Sequence, residues 1–153
     1  MTTVISHFSA LRAIRRARRA YSALPWGIID DRQQAQALAS CVPNKDAIDF
    51  VALAMLDAWS EDDSERLDLL VAGGNNRRPD GRLLQHSVTA PLPAEAIMHI
   101  EADIYATSPA MTAMLCSRNE PVAKVLMLLM ELLGSYSLPP EITNPIAHDD
   151  TWP

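Results

Sequence analysis

The sequence predicts an α/β (α+β) fold: N-terminal helices, a small mainly antiparallel sheet with a long hairpin over about residues 66–107, and two C-terminal helices packed on that sheet. Three observations carry this. Apolar residues recur at three- and four-residue spacing up to about residue 60, shorter apolar runs separated by turn residues begin at Leu67, and two Pro-led helix starts follow residue 107. A chain of 153 residues buries roughly 70% of its unfolded surface, enough for one sizeable core. Residues 1–140 are therefore read as one domain, and 141–153 as an irregular tail.

The stretch "ISHFSALRAIRRARRAYSAL" reads as the first helix, because Leu11, Ile14, Ala17, Tyr21 and Leu24 form one stripe. Arg12, Arg15, Arg16 and Arg19 then face outward. Ser6 is the expected N-cap, with Ser9 where a full capping box would have Glu or Gln. Pro25-Trp26-Gly27 ends the helix. Asp30 or Asp31 caps a short helix over "RQQAQALAS", which Pro43 closes. A third helix is expected from Asn44 to Ser60, burying Ile48, Val51, Ala52, Met55, Leu56 and Trp59. The run "SEDDSE" lacks the alternating spacing and Gly of a calcium loop and reads as a solvated connector.

"LDLLVAG" and "RLLQHSV" are apolar runs on either side of a Gly/Asn/Pro/Asp cluster, the pattern of two strands and a turn. "IMHI" and "DIYAT" supply two more strands. Ser108 as N-cap with Pro109 at the first helical position starts a helix over "SPAMTAMLC". Asn119 or Glu120 before Pro121 starts the last, which is apolar nearly all round and ends at Gly134. It is expected deep in the core or against a partner.

Composition excludes several classes. With 48% hydrophobic and 21% charged residues the chain is ordinary globular material. Its longest apolar run, Phe50 to Leu56, is far below the roughly 20 residues that span a bilayer. No membrane contact is expected, and the arginines near the N-terminus interrupt what a signal peptide would need to be apolar. Two cysteines, Cys41 and Cys116, make neither a disulfide framework nor a zinc pair, so both read as buried structural thiols and the compartment as cytoplasmic.

The net charge of −6 hides a division, since residues 1–24 carry five Arg and no acid while all 19 acids lie beyond them. Arg12, Arg15, Arg16 and Arg19 are thus candidate contacts to phosphate or to a partner. The same face could instead pair with Asp62-Asp63 or Asp149-Asp150. No helix-turn-helix pattern accompanies it.

"GGNNRRPDG" invites comparison with a phosphate-binding loop. It lacks the closing Lys-Ser/Thr and the G-x-G-x-x-G spacing, and a strand follows it rather than a helix. Gly, Asn and Pro-Asp-Gly all suit a hairpin bend, with Arg77 and Arg78 at its tip as further candidate contacts. His7, His86, His99 and His148 are scattered along the chain, with no convergent partners for zinc or for acid–base work. Asp68 could begin a restriction-type nuclease site, but no Glu-x-Lys follows. No catalytic residue, metal ligand or cofactor is assigned.

Several of these stretches together resemble a family. "ISHFSALRAIR" is similar to the Ser-His-x-Ser-Ala helix start of the middle domain of abortive-infection (AbiE-type) type IV toxin–antitoxin antitoxins and their actinobacterial relatives. "LDLLVAGGNNRRPDGRLLQHS" resembles the strand, basic turn and strand ending in His that comes next, and "IYATSPAMTAMLC" the strand leading to a Ser-Pro helix start. "MELLGSYSLPP" resembles the ending of relatives that continue into an endonuclease domain, with Leu133 at the family's Cys. The matching residues are Ser6, His7, Ser9, Arg77, Arg78, His86, Ser108 and Pro109, none of them catalytic by that resemblance. This chain has room for neither the winged helix nor the nuclease of those relatives.

The resemblance implies a non-enzymatic interaction or regulatory module of antitoxin type. Its expected partner is a protein, either a toxin or a nuclease subunit, with DNA contact through the Arg-rich helix as a second mode. Met111, Met114, Met127 and Met130 would suit an adaptable apolar surface. The alternatives are a remnant or subunit of a split nuclease, and a mobile-element inhibitor acting through an acidic surface.

Overall fold

The computed structural model describes residues 1–61, 66–73 and 81–134. Their elements run β1 (Thr3–Ile5), α1 (His7–Tyr21), β2 (Gly27–Ile28), α2 (Asp31–Ser40), α3 (Phe50–Met55), β3 (Leu67–Ala72), β4 (Leu83–Val88), β5 (Ile97–Glu101), β6 (Ile104–Thr107), α4 (Pro109–Cys116) and α5 (Val122–Leu133). Among the described residues this is an α+β fold, a six-stranded mixed sheet packed with helices. The expected tail at 141–153 and the Arg77–Arg78 tip lie outside the described residues.

The strand order is β2-β5-β6-β1-β3-β4. β1 lies between β6, which it pairs in parallel, and β3, which it pairs antiparallel. Three residues are enough because both neighbours bond them and all three side chains are buried. Helices cover the two faces of the sheet. Ile5, Leu67, Leu69 and Ala106 meet α1, α4 and α5 in one core, while Val4, Leu70 and Ile97 meet Ala37 and Leu38 of α2 in the other. Burial on both faces explains why "LDLLV" of β3 is nearly continuously apolar, with no polar alternation.

The long hairpin is overturned. β3 and β4 are parallel, with Leu67 opposite Leu83 and Ala72 opposite Val88. Turn residues mark where a chain bends, not how far it then travels. A six-residue strand is roughly 20 Å long, and the segment between Ala72 and Leu83 can reach that far at about 3.3 Å per residue. Gly73 begins it with φ +66°, which its missing Cβ allows. The expected antiparallel sheet is therefore mixed. β5 and β6 do form a tight hairpin, turning through Ala102 and Asp103.

Helix ends obey local chemistry. Asp30 caps α2 through a capping box: its carboxylate accepts the Gln33 N–H at 2.7 Å, and the Gln33 side chain accepts the Asp30 N–H at 2.9 Å. Ser108 caps α4 by accepting the Met111 N–H, with Pro109 in the first turn. The third helix is shorter than expected. Residues 44–48 form a turn on the Asn44 carbonyl, α3 is capped by Asp49, and Val51 and Met55 point to solvent. α1 stops at Tyr21, where Ser22 adopts the left-handed conformation, so Tyr21 is exposed rather than in the buried stripe.

The arginines of α1 do not form one outward face. Arg15 is buried and grips Glu131 of α5 with two bonds, Nε to Oε1 at 2.6 Å and a terminal nitrogen to Oε2 at 2.8 Å. Arg18 donates to the backbone carbonyls of Glu131 and Leu132, both at 2.6 Å, closing the C-terminal end of α5. Arg12 donates to the Ala58 carbonyl at 2.8 Å. Arg16 and Arg19 remain exposed. Helical spacing misplaced Arg15 because its acid lies 116 residues away.

Candidate functional site

Where β1 passes into α1, one residue of that junction meets two strands. His7 opens α1 with φ 46°, a left-handed conformation that a side-chain-bearing residue seldom takes. Its ring stacks on the ring of His86 from β4, with centroids 3.6 Å apart and planes 20° from parallel. His86 Nε2 lies 2.8 Å from Oδ1 of Asp68 on β3. Asp68 and His86 converge because the parallel register sets Asp68 opposite Leu84, two residues before His86 on the same face of the strand. The donor atoms of His7, Asp68 and His86 all lie within 4.8 Å of one another.

A shell of serines holds this cluster. Ser6 is fully buried, and its hydroxyl sits 2.9 Å from His7 Nδ1 rather than capping α1. Ser9 Oγ accepts the backbone N–H of Asp68 at 3.0 Å, and the Ser6 N–H donates to the Asp68 carbonyl at 3.0 Å. The helix start and the strand are thereby locked together. Asp68 is buried while the two histidines are half-exposed, so the cluster has an open side.

The electrostatics favour neutral imidazole and protonated thiol. Burial, and next the neighbouring His86, bring the His7 pKa down to about 4, with Asp68 opposing and Arg118 reinforcing the shift. His7 is therefore uncharged at neutral pH. The Cys116 thiol is pushed up to about 12 by burial first and then by Asp68 and Glu120, against the pull of Arg15. Burial likewise raises Cys41. Both thiols are buried and poor nucleophiles.

Two imidazoles and one carboxylate are a donor set suited to a first-row divalent cation. The structure thus brings together Ser6, His7, Ser9 and His86, four of the eight residues that the resemblance singled out, and adds Asp68. Ser108 and Pro109 start α4, and Arg77 and Arg78 fall outside the described residues. The reading of scattered histidines fails for His7 and His86. Their convergence depends on three separate elements, and the signal available in the sequence was the pair of quoted motifs that each contain one of them.

A second feature lies on the helical layer. Val122, Leu126, Met130 and Leu133 of α5 are 74%, 55%, 59% and 60% exposed and fall at i, i+4, i+8 and i+11. Meanwhile Lys124, Leu128, Glu131 and Leu132 are buried, so α5 turns apolar side chains both ways. Beside this ridge a cleft of about 500 Å³ opens between β5 and the two C-terminal helices, lined by Met98, Pro109, Met111, Met114, Leu132 and Leu133.

No family model, curated protein or solved structure matches this chain. No helix among the described residues is long and apolar enough to cross a membrane.

Proposed function

We propose that this chain is a non-enzymatic interaction module of antitoxin type that holds a protein partner on the outer face of α5. The observation that carries the reading is the exposed ridge Val122-Leu126-Met130-Leu133, beside an apolar cleft that Met114 helps to line. Four large apolar side chains exposed along one face of a helix support the reading of an interaction site over that of an ordinary solvent-facing helix. Met114 and Met130 are flexible, polarisable side chains suited to such a contact. The buried Arg15–Glu131 pair and the two Arg18 caps tie α5 to α1, so the ridge is presented on a fixed helix. The motif resemblance names the class of partner, a toxin or a nuclease subunit.

Phosphate contact by α1 is a weaker reading, because Arg12 and Arg15 are turned to internal acceptors and Arg16 and Arg19 are left on the surface. The test is affinity capture from the native host with the wild-type chain, a Leu126→Glu/Met130→Glu variant and an Arg16→Glu/Arg19→Glu variant, followed by binding of the purified partner. A toxin-like or nuclease-like protein lost with the first variant and retained with the second supports the proposal. Loss only with the second, nucleic acid as the sole captured species, or turnover by the purified chain would overturn it.

A further inference from the structure

We propose that His7, Asp68 and His86 form a binding site for one divalent cation of the zinc type. The site is independent of the α5 ridge. Three donor atoms from three elements lie within 4.8 Å of one another, and side-chain torsions alone would have to bring them to the roughly 3.3 Å between ligand atoms of a tetrahedral zinc site with bonds of about 2.0–2.1 Å. The donor set is chemically apt: two borderline nitrogens and one oxygen are the ligands of open zinc sites, where water completes the coordination.

The surroundings are those of a ligand shell. In the tautomer whose Nδ1–H donates to the Ser6 hydroxyl, 2.9 Å away, His7 presents Nε2 as its free lone pair. Ser9 bonds the backbone of Asp68 and fixes the strand that carries the carboxylate. His7 is held at φ 46°, a conformation that residues with a side chain seldom adopt, and its ring lies against His86. Half-exposure of both histidines leaves a route for the ion and a place for its water.

Binding requires one local change. The stacked rings hold their lone pairs in two nearly parallel planes with centroids 3.6 Å apart, so an imidazole must turn about its side-chain torsions for both lone pairs to meet a single ion. The Nε2–H that His86 shares with Asp68 at 2.8 Å is given up, the imidazole proton ending on Nδ1 by exchange with water, and the freed Nε2 and carboxylate oxygen each bond the ion.

The experiment titrates the purified full chain, freed of metal, with zinc chloride in competition with a chromophoric chelator, and separately with cobalt(II) to read the visible bands of a tetrahedral site. Wild type should take up one equivalent, show those bands and melt at a higher temperature with zinc than with chelator. His86→Ala and Asp68→Asn should abolish all three responses. Ser6→Ala, which keeps the ligands, should weaken affinity by about 10–100-fold, and His99→Ala should leave it unchanged. Far-UV circular dichroism verifies the fold of each variant, and the cobalt spectrum of wild type stands apart from any substitution. Absence of saturable uptake by wild type, or uptake unchanged in both His86→Ala and Asp68→Asn, would overturn the proposal.

Discussion

Replacing Glu131 by Ala should destabilise this protein strongly. The Arg15 and Glu131 side chains are 8% and 4% exposed and meet at 2.6 Å. At an effective dielectric constant of about 20, charges roughly 4 Å apart between centres attract by about 4 kcal/mol. Removing the carboxylate forfeits that attraction and leaves a guanidinium in a site too dry to hydrate it, for a loss of about 3–5 kcal/mol. A domain with roughly 5–15 kcal/mol of stability would lose a large share. In urea, at a slope of about 2 kcal/mol per molar, the midpoint should fall by roughly 2 M. The double variant Arg15→Met/Glu131→Leu removes both charges and should recover most of the loss, because it strands neither partner. Added salt should change the wild-type midpoint little through this pair, since buried charges are poorly screened. Urea melts followed by circular dichroism decide it. A Glu131→Ala midpoint within about 0.5 M of wild type, or a double variant no better than the single, would show that the ion pair does not hold α5 as argued.

Acid should destabilise the fold through His7. Its pKa lies near 4 when folded against 6.5 when unfolded, so below 6.5 the unfolded state binds more protons. Stability is full above pH 6.5, falls between 6.5 and about 4, and loses nothing further below. Full weight would be roughly 3 kcal/mol, and partial exposure reduces this to about 1–2 kcal/mol. Denaturation of wild type and His7→Asn across that range should show a shallower decline in the variant. Gly73→Ala should cost about 1 kcal/mol in chemical denaturation; its φ is +66° and an added Cβ meets nothing within 4 Å, so the penalty is conformational. Leu69→Ala, at a 1% exposed position beside β1, should cost about 2–5 kcal/mol and cut the thermal midpoint accordingly.

Periodicity carried the fold as far as local pattern can. β3 to β6, α2, α4 and α5 lie where apolar spacing and Pro- or acid-led starts put them. β1 and β2, three and two residues long, are too short to show a period at all. The direction of β4 was hidden because Gly, Asn and Pro-Asp-Gly announce bending in a return loop as readily as in a hairpin. At the site, the motifs named His7 and His86 individually. Their meeting with Asp68 is a product of the parallel β3–β4 register, which no local window contains. The buried Arg15 was missed for the same reason: an arginine looks solvent-facing until a carboxylate from the far end of the chain is laid beside it.

Thr3–Ile5 supply the rung that joins the two halves of the sheet, bonded to Leu69 on one flank and to Ile104–Ala106 on the other. The described strand synthesised first is thus completed last, about a hundred residues later. Such distant closure must overcome most of its chain entropy before any ladder rewards it, which makes assembly slow relative to a helical bundle. Until β6 emerges from the ribosome, the opening segment has only its β3 flank to pair with, and its other edge stays open and apolar in the meantime.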